Sequence, residues 1–572
     1  MPWVLVVALT ATTFVRCGDD TDVGDSDGAA ADAGGDAGVL GDAGAGDDGG
    51  GADCADHSLE DVNIPMSDGQ VLAGFVRRPV NAACRLPTIL IQTPYNKDHI
   101  RTGWFSSPDP GPLFDSPAYA FVVLDWRGFY GSAAAAVAQP DHGQDGSDAV
   151  AWIAEQAWSD GQVGTWGVSA LGRVQLWTAT RRPPALKAIV PIFSPLNSEY
   201  QEYYPGGVLR REYVDTLGLL YGGSVVEQHP FEDAVWLWYG DLYDAADVEV
   251  PALVVAGWYD LDNARSFATW DDLLGVGGVL SSEHRMVVGA WHHFATSAGA
   301  AGAGRPLTTQ ELLYHDGDHR IQTDSLAWFD AHLRGLTGPV DAWERVRYER
   351  DGESVWEGTD EWPPANATGQ VALYLDGLGD LTDVAPSPGE VSYVFDPDDP
   401  APSIGGQTLH YELLHGPHDQ QEVIGRSDVV VFESATLPAA LRVRGGLEAV
   451  LAVSTSGVDT DFVVLVTDVD ESGAHLLLAD GVRRLSLRDS LTTPSTVSAG
   501  QRYDLVVEII NHLAYTFAAG HRVGLIVSSG SYPRFARNPG NGATFYTDPA
   551  SSIAVTNTVF TDGVSRLILP VD

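Results

Sequence analysis

The sequence predicts an α/β protein built on a mainly parallel sheet and followed by a second, all-β domain. Between about residues 59 and 343, short runs rich in Val, Ile and Leu alternate with helical patterns, as expected for a parallel sheet covered on both faces. A serine (Ser169), an aspartate (Asp260) and a histidine pair (His292 and His293) each fall just past the end of such a run. The carboxyl ends of parallel strands frame a crevice that short loops line, and reacting groups collect there. Beyond Trp343 the helical period gives way to short alternating runs divided by Gly, Pro and Asp, the pattern of a β-sandwich.

A chain of 572 residues is too long for one core, so two structured domains with extensions are expected. Residues 1–17 read as a signal segment. Residues 4–15 are mostly apolar, too short to span a bilayer but suited to the core of an export signal. Cys17 follows this core and precedes a Gly/Ala/Asp tract, which marks it as a candidate lipidation cysteine and the protein as exported, to a bacterial cell surface, the periplasm or the medium. Residues 18–54 hold eleven Asp and no basic residue. With almost no large side chain to bury, this stretch cannot offset its ordering entropy and is predicted to be a disordered linker. Of the net charge of −46, the remainder of the chain keeps −35. Such a surface repels nucleic acid and anionic membranes and argues against either as a partner.

Two further cysteines, Cys54 and Cys84, flank two predicted strands at 61–65 and 71–78 that are joined by the turn Ser67-Asp68-Gly69. Both would lie at the open end of a hairpin, in reach of a disulfide. The catalytic domain is expected over 55–343, with strands at 88–92, 119–125, 163–166, 186–193, 252–257 and 285–289 and helices at 148–155 and 263–274. Asp125 and Arg127 are expected to pair and fix a loop, and Lys97 to be structural or on the surface. The segment 197–248 mixes acidic and aromatic residues. Its Glu199 and Glu202, among Tyr200, Tyr203, Tyr204 and Trp236, are either solvated acids or carboxylates facing an aromatic pocket, able to hold a substrate ammonium.

At Ser169 the chain must turn from strand to helix within a residue or two so that Oγ is presented at the helix N-terminus, which requires small residues at Gly167 and Gly172. Asp260 directly follows its strand, whereas Asp262 reads as a cap on the next helix. His292 and His293 are adjacent and must point in different directions, so only one can meet the serine. Neighbouring imidazoles rarely reach one ion, and no ligand set of Cys or carboxylate accompanies them, so neither a metal nor any other cofactor is assigned.

Several segments in order resemble the CocE/NonD family, the cocaine-esterase and X-prolyl dipeptidyl-peptidase (S15) group of α/β-hydrolases. They are Met66-Ser67-Asp68-Gly69, Thr93-Pro94-Tyr95-Asn96-Lys97, Asp125-Trp126-Arg127-Gly128, residues 157–164, Gly167-Val168-Ser169-Ala170-Leu171-Gly172, Gly257-Trp258-Tyr259-Asp260 and residues 534–539. The resemblance implies an α/β-hydrolase domain and a C-terminal jelly roll over 344–572. It further implies Ser169 as nucleophile, His293 as base, Asp260 as its orienting acid, and an oxyanion hole made by the Tyr95 hydroxyl and the backbone N–H of Ala170. Ala170 stands where the family usually has Tyr, and the segment 197–248, where the family carries a helical cap, leaves only about fifty residues for it, so a reduced cap and a more open site are expected. The implied activity is hydrolysis of an ester or amide, Xaa-Pro peptides and β-lactams included, on a small-molecule or short-peptide substrate. The competing reading is a surface protein whose second domain binds a glycan and whose hydrolase half is inert.

Overall fold

The structure, a computed structural model, describes residues 54–107, 110–221, 224–275, 279–294, 307–314, 317–364 and 369–572. The predicted signal segment, Cys17 and the acidic linker lie outside the described residues, apart from Cys54.

The first sheet has ten strands: β1 (His57–Pro65), β2 (Val71–Pro79), β3 (Leu86–Thr93), β4 (Ala120–Asp125), β5 (Ser159–Val168), β6 (Leu186–Ile192), β7 (Leu253–Tyr259), β8 (Arg285–His292), β9 (Val346–Arg350) and β10 (Val355–Thr359). They lie in the order β1-β2-β4-β3-β5-β6-β7-β8-β9-β10. β3 to β9 form a parallel block, and antiparallel pairs flank it at β1/β2, β2/β4 and β9/β10. Its central strands β4, β6 and β7 are buried along nearly their whole length because both faces are covered. On β3, Leu90 packs with Val122, Ile153 and Leu176 on one side, while Ile89 and Ile91 pack with Phe121, Trp166 and Phe329 on the other. This is the period of two expected when helices lie on both faces.

The sheet runs past Trp343, where the sequence pointed to a domain boundary. β9 continues it in parallel with β8, Val346 opposite Met286, so this edge hairpin joins the first sheet, and the second sheet takes its first strand at Gly369–Leu375. The short alternating runs of β9 and β10 look like sandwich strands because this edge hairpin is buried on one face only.

The C-terminal domain is one β-rich sheet of eleven strands. It closes on itself where the strand Leu441–Thr455 pairs with Arg566–Val571 as well as with Tyr503–Phe517, giving a barrel-like outline around Phe432, Leu451, Val464, Leu525 and Leu569. The strand Leu441–Thr455 runs unbroken for fifteen residues, with a register shift between Gly446 and Glu448. A bulge bends a strand without ending it.

Cys54 and Cys84 form a disulfide with a Cα–Cα distance of 5.8 Å, below the hairpin whose register sets His57 opposite Pro79. Asp125 and Arg127 do not pair with each other. Asp125 accepts the backbone N–H of Lys97 (2.7 Å) and of Gly131 (3.0 Å), and Arg127 binds Asp145 and Asp68. A side chain two residues past a strand end points into a different loop, which spacing alone does not reveal.

Candidate active site

β5 ends at Val168, and the helix Ala170–Ala179 begins two residues later. Ser169 makes this turn with φ 60° and ψ −124°. A non-glycine residue in that conformation carries strain of about 1–3 kcal/mol, and such strain persists only where the surroundings impose it. Here they do: the Ser169 N–H donates to Ile192 O (2.9 Å), and Ser169 O accepts from the N–H groups of Gly172 and Arg173. A Cβ on Gly167 would lie 2.5 Å from Leu171 Cβ, and one on Gly172 would lie 2.2 Å from Ser194 Oγ and 2.9 Å from Ile192 O. Both positions therefore need glycine.

Asp260 and His293 meet across the ends of β7 and β8. His293 Nδ1 and Asp260 Oδ2 are 2.6 Å apart, and both side chains are buried. Burial disfavours the imidazolium, but the charge and hydrogen bond of Asp260 outweigh it and hold the His293 pKa above its ordinary value. A buried carboxylate on Nδ1 fixes the tautomer that leaves Nε2 free to accept a proton. His292 points elsewhere: its ring stacks on His415 at 5.7 Å and its Nδ1 accepts the N–H of Phe294.

A cavity of about 710 Å³ opens at the strand ends, lined by Tyr95, Ser169 and Ala170 on the sheet side and by Tyr213, Val226 and Trp236 from above. Thus Ser169 and the two expected oxyanion donors share one wall. Tyr95 sits in a tight loop whose N–H donates to Thr93 Oγ1 (2.9 Å) and whose next residue, Asn96, adopts φ 76°. The cap segment consists of short helices, Tyr200–Tyr203, Arg211–Tyr221, Ser224–Gln228 and Ala234–Gly240.

The cap acids are not solvated together as a pair. Glu202 is buried, accepting from Arg173 (3.0 Å) and from the Tyr213 hydroxyl (2.7 Å). Burial works against its charge, but Arg173 and Tyr213 prevail and its pKa lies below the ordinary value. Glu199 instead pairs with Arg265 nearer the surface. Two cavity residues carry more than the sequence suggested. Arg173 stands four places after Ser169, on the same helix face, and lines the cavity. Asp262, read as a helix cap, also lines it, with one carboxylate oxygen lacking a hydrogen-bond partner. Burial, then Asp260, then Glu202, push its pKa up to about 7. Ligating atoms of Asp260, Asp262 and His293 all lie within 4.8 Å of one another. Asp260 nevertheless spends its two oxygens on His293 and on the N–H of Asp262, so the group fits a charge-coupled cluster better than a cation site.

Residues 68–224 match the model of the X-Pro dipeptidyl-peptidase (S15) family, and residues 339–565 match that of the X-Pro dipeptidyl-peptidase C-terminal non-catalytic domain. A cocaine esterase of Rhodococcus sp. (strain MB1 Bresler) is 29% identical over 550 residues, spanning 84% of this chain and 92% of that protein. The fold is shared with an alpha-amino acid ester hydrolase (TM-score 0.76, 24% identity, 91% of this chain and 98% of the other). It is also shared with a CocE/NonD family hydrolase from Staphylococcus aureus (TM-score 0.66, 20% identity, 90% and 94%). With both family models matched in order and a curated esterase aligned along most of its length, the chain belongs to the CocE/NonD and peptidase S15 group of serine hydrolases.

Proposed function

We propose that this protein is an exported acyl esterase that works through an acyl-enzyme on Ser169. The observations that carry the reading are the strained Ser169 at the head of its helix, lining one cavity with Tyr95 and Ala170, and a histidine past the end of a neighbouring strand held at 2.6 Å by a buried carboxylate. His293 Nε2 takes the Oγ proton as Oγ attacks the substrate carbonyl, and Asp260 stabilises the imidazolium that forms. Charge developing on the carbonyl oxygen is met by the Tyr95 hydroxyl and the Ala170 N–H, each such donor being worth roughly 10²–10³ in rate. As the tetrahedral intermediate collapses, the C–O or C–N bond breaks and His293 returns the proton to the leaving alcohol or amine. A water molecule, deprotonated by the same imidazole, then releases the acid and frees Ser169.

The cavity favours a neutral, apolar or aromatic acyl group. Its walls are largely aromatic and aliphatic, and its two guanidiniums are already neutralised, Arg127 by Asp145 and Asp68 and Arg173 by Glu202. A second reading, an amine-bearing ester or Xaa-Pro peptide, rests on Asp262, whose unpartnered carboxylate oxygen would ionise fully beside an ammonium. In this proposal the short cap leaves the entrance open, the C-terminal domain is a jelly roll whose layers join at its two long strands, and Cys17 tethers the chain to a membrane by lipid.

Labelling the full chain with a fluorophosphonate beside Ser169→Ala, with p-nitrophenyl esters and Xaa-Pro amides assayed in parallel, tests the reading. Labelling and turnover by the wild type alone are expected, with esters preferred. A folded wild type that neither labels nor turns over would move the inert binding protein to the front.

A further inference from the structure

β7 carries Asp260 at its end, and it does not finish as a regular strand. Its register with β8 sets Gly257 opposite Gly289 but Tyr259 opposite His292, so β8 bulges there, with Ala290 and Trp291 facing the single residue Trp258, and the regular ladder is interrupted at Trp258. A bulge re-aims the side chains that follow it and leaves a backbone group without its ladder partner. A buried carbonyl in that position must find donors elsewhere.

The Trp258 carbonyl finds them in the C-terminal domain. Gln407 Nε2 donates to it at 3.2 Å and Asn511 Nδ2 at 3.3 Å, and both side chains are buried. Gln407 is itself held. Its carbonyl accepts from Arg534, which is locked onto Asp480 (Nη2 to Oδ1, 2.8 Å), and from Arg210, whose other amino group reaches Leu261 O (3.4 Å). On the far side of the loop the His512 N–H donates to Asn263 Oδ1 (2.9 Å), and Asn263 Nδ2 donates on to Gly257 O (2.8 Å). The loop from Gly257 to Asn263 is thus gripped at both ends from beyond residue 400, by Gln407, Asn511 and His512, alongside the bonds of Trp258 to Glu349 and of Tyr259 to Asp351.

We infer that the C-terminal domain is part of the catalytic apparatus: Gln407 and Asn511 are positioning residues that hold the end of β7 where its ladder with β8 is interrupted and, through it, set Asp260 against His293. This gives a role to the segment that starts at Arg534, whose resemblance to the family had no counterpart in the chemistry. The inference rests on Asp260 being the acid of the proposed mechanism. Sub-ångström control matters there, because a displacement of about 1 Å in a reacting constellation costs on the order of 10²-fold in rate.

The experiment compares the full chain carrying Gln407→Met and Asn511→Leu, near-isosteric losses of the two donors, with wild type and with Asp260→Asn. Expected for the double variant is a roughly 10- to 100-fold loss of kcat with KM within about twofold. The acid limb of kcat/KM should move to lower pH, since a displaced Asp260 supports the imidazolium less, and the downfield His293 Nδ1 proton resonance should shift or broaden. Asn511→Gln, which keeps an amide donor, should recover part of the loss relative to Asn511→Leu. If the double variant does not fold, the two single variants, each leaving one donor on Trp258 O, are read in the same way for a smaller loss. A folded variant with wild-type kcat, pH profile and proton resonance overturns the inference, and so does a loss of activity that only tracks the unfolded fraction. Asp260→Asn separates the layers: if it retains wild-type kcat, the assignment of the acid is wrong, whereas a crippled Asp260→Asn beside unaffected Gln407 and Asn511 variants refutes the clamp alone.

Discussion

Gly172→Ala is the smallest perturbation that discriminates a working elbow from a merely tight turn. Gly172 lies inside the helix Ala170–Ala179 with no unusual backbone angle demanded of it, so propensity alone would favour alanine by about 1 kcal/mol. Space argues the other way. The new Cβ would meet Ser194 Oγ at 2.2 Å, Ile192 O at 2.9 Å and Gly167 O at 3.0 Å. The serine hydroxyl can rotate away, but the two carbonyls belong to strand ends and cannot. Ordinary contact is restored only by moving the first turn of the helix outward by roughly 0.5 Å, against an overpacking cost of about 1–3 kcal/mol that the gain in propensity partly offsets. The net loss of stability should therefore be about 2 kcal/mol or less. The same movement carries Ser169 Oγ and the Ala170 N–H off their positions, and at about 10²-fold per ångström this predicts a loss of roughly tenfold in kcat. Thermal denaturation and p-nitrophenyl acetate turnover, with the rate of fluorophosphonate labelling, measure the two effects separately. A folded variant with undiminished kcat would refute the reasoning, because the elbow would then tolerate the displacement that it is argued to forbid.

The pH profile offers a second test. His293 must be neutral to accept the serine proton, and since its pKa is raised, activity should climb with pH through a midpoint above the ordinary histidine value. Asp262, titrating at about 7, favours the imidazolium when ionised, so Asp262→Asn should move that limb of kcat/KM to lower pH; an upward shift or none would contradict the coupling. Replacing Cys54 and Cys84 by serine opens a loop spanning 30 residues and should lower stability by about 3–4 kcal/mol, which denaturant midpoints with and without reductant will read. A wild type indifferent to reductant would show that the bridge contributes little. Glu202→Gln leaves the Arg173 guanidinium buried without its counter-charge and should cost about 3–5 kcal/mol, whereas adding Arg173→Met should recover much of that in a double-mutant cycle. Additive losses would mean that the two residues are not coupled.

Residues that lie a step beyond a strand end were legible in the sequence, since strand length and the following glycine or aspartate place them without knowledge of the rest. Ser169, Asp260 and His293 are of this kind, and the structure brings Asp260 and His293 into contact and sets Ser169 on the cavity wall. What resisted reading depends on partners distant along the chain. Glu202 looked like a cap acid among tyrosines, but Arg173, 29 positions earlier, draws it inside. Asp262 has the spacing of a helix cap, and only the closeness of Glu202 and Asp260 turns it into a cavity group. Gln407 and Asn511 are separated from Trp258 by 149 and 253 positions. A polar residue in a β-rich stretch reads as solvent-facing unless its partner is known. β9 and β10 were missed for a related reason: a half-buried edge hairpin has the same period whichever sheet it joins.

The strand Arg566–Val571 closes the C-terminal sheet by pairing with Gly369–Leu375 and with Leu441–Thr455, so its partners precede it by as many as about two hundred residues. A ribosome adding about 5–20 residues per second leaves Gly369–Leu375 without this partner for roughly 10–40 s after Gly369 emerges. With the loop that bears Asp260 gripped from residues 407 and 511, the nascent chain has its nucleophile long before it has a fully ordered acid. The grip on the acid's loop is therefore complete only once residues 149 and 253 places beyond Trp258 have been made and folded against it.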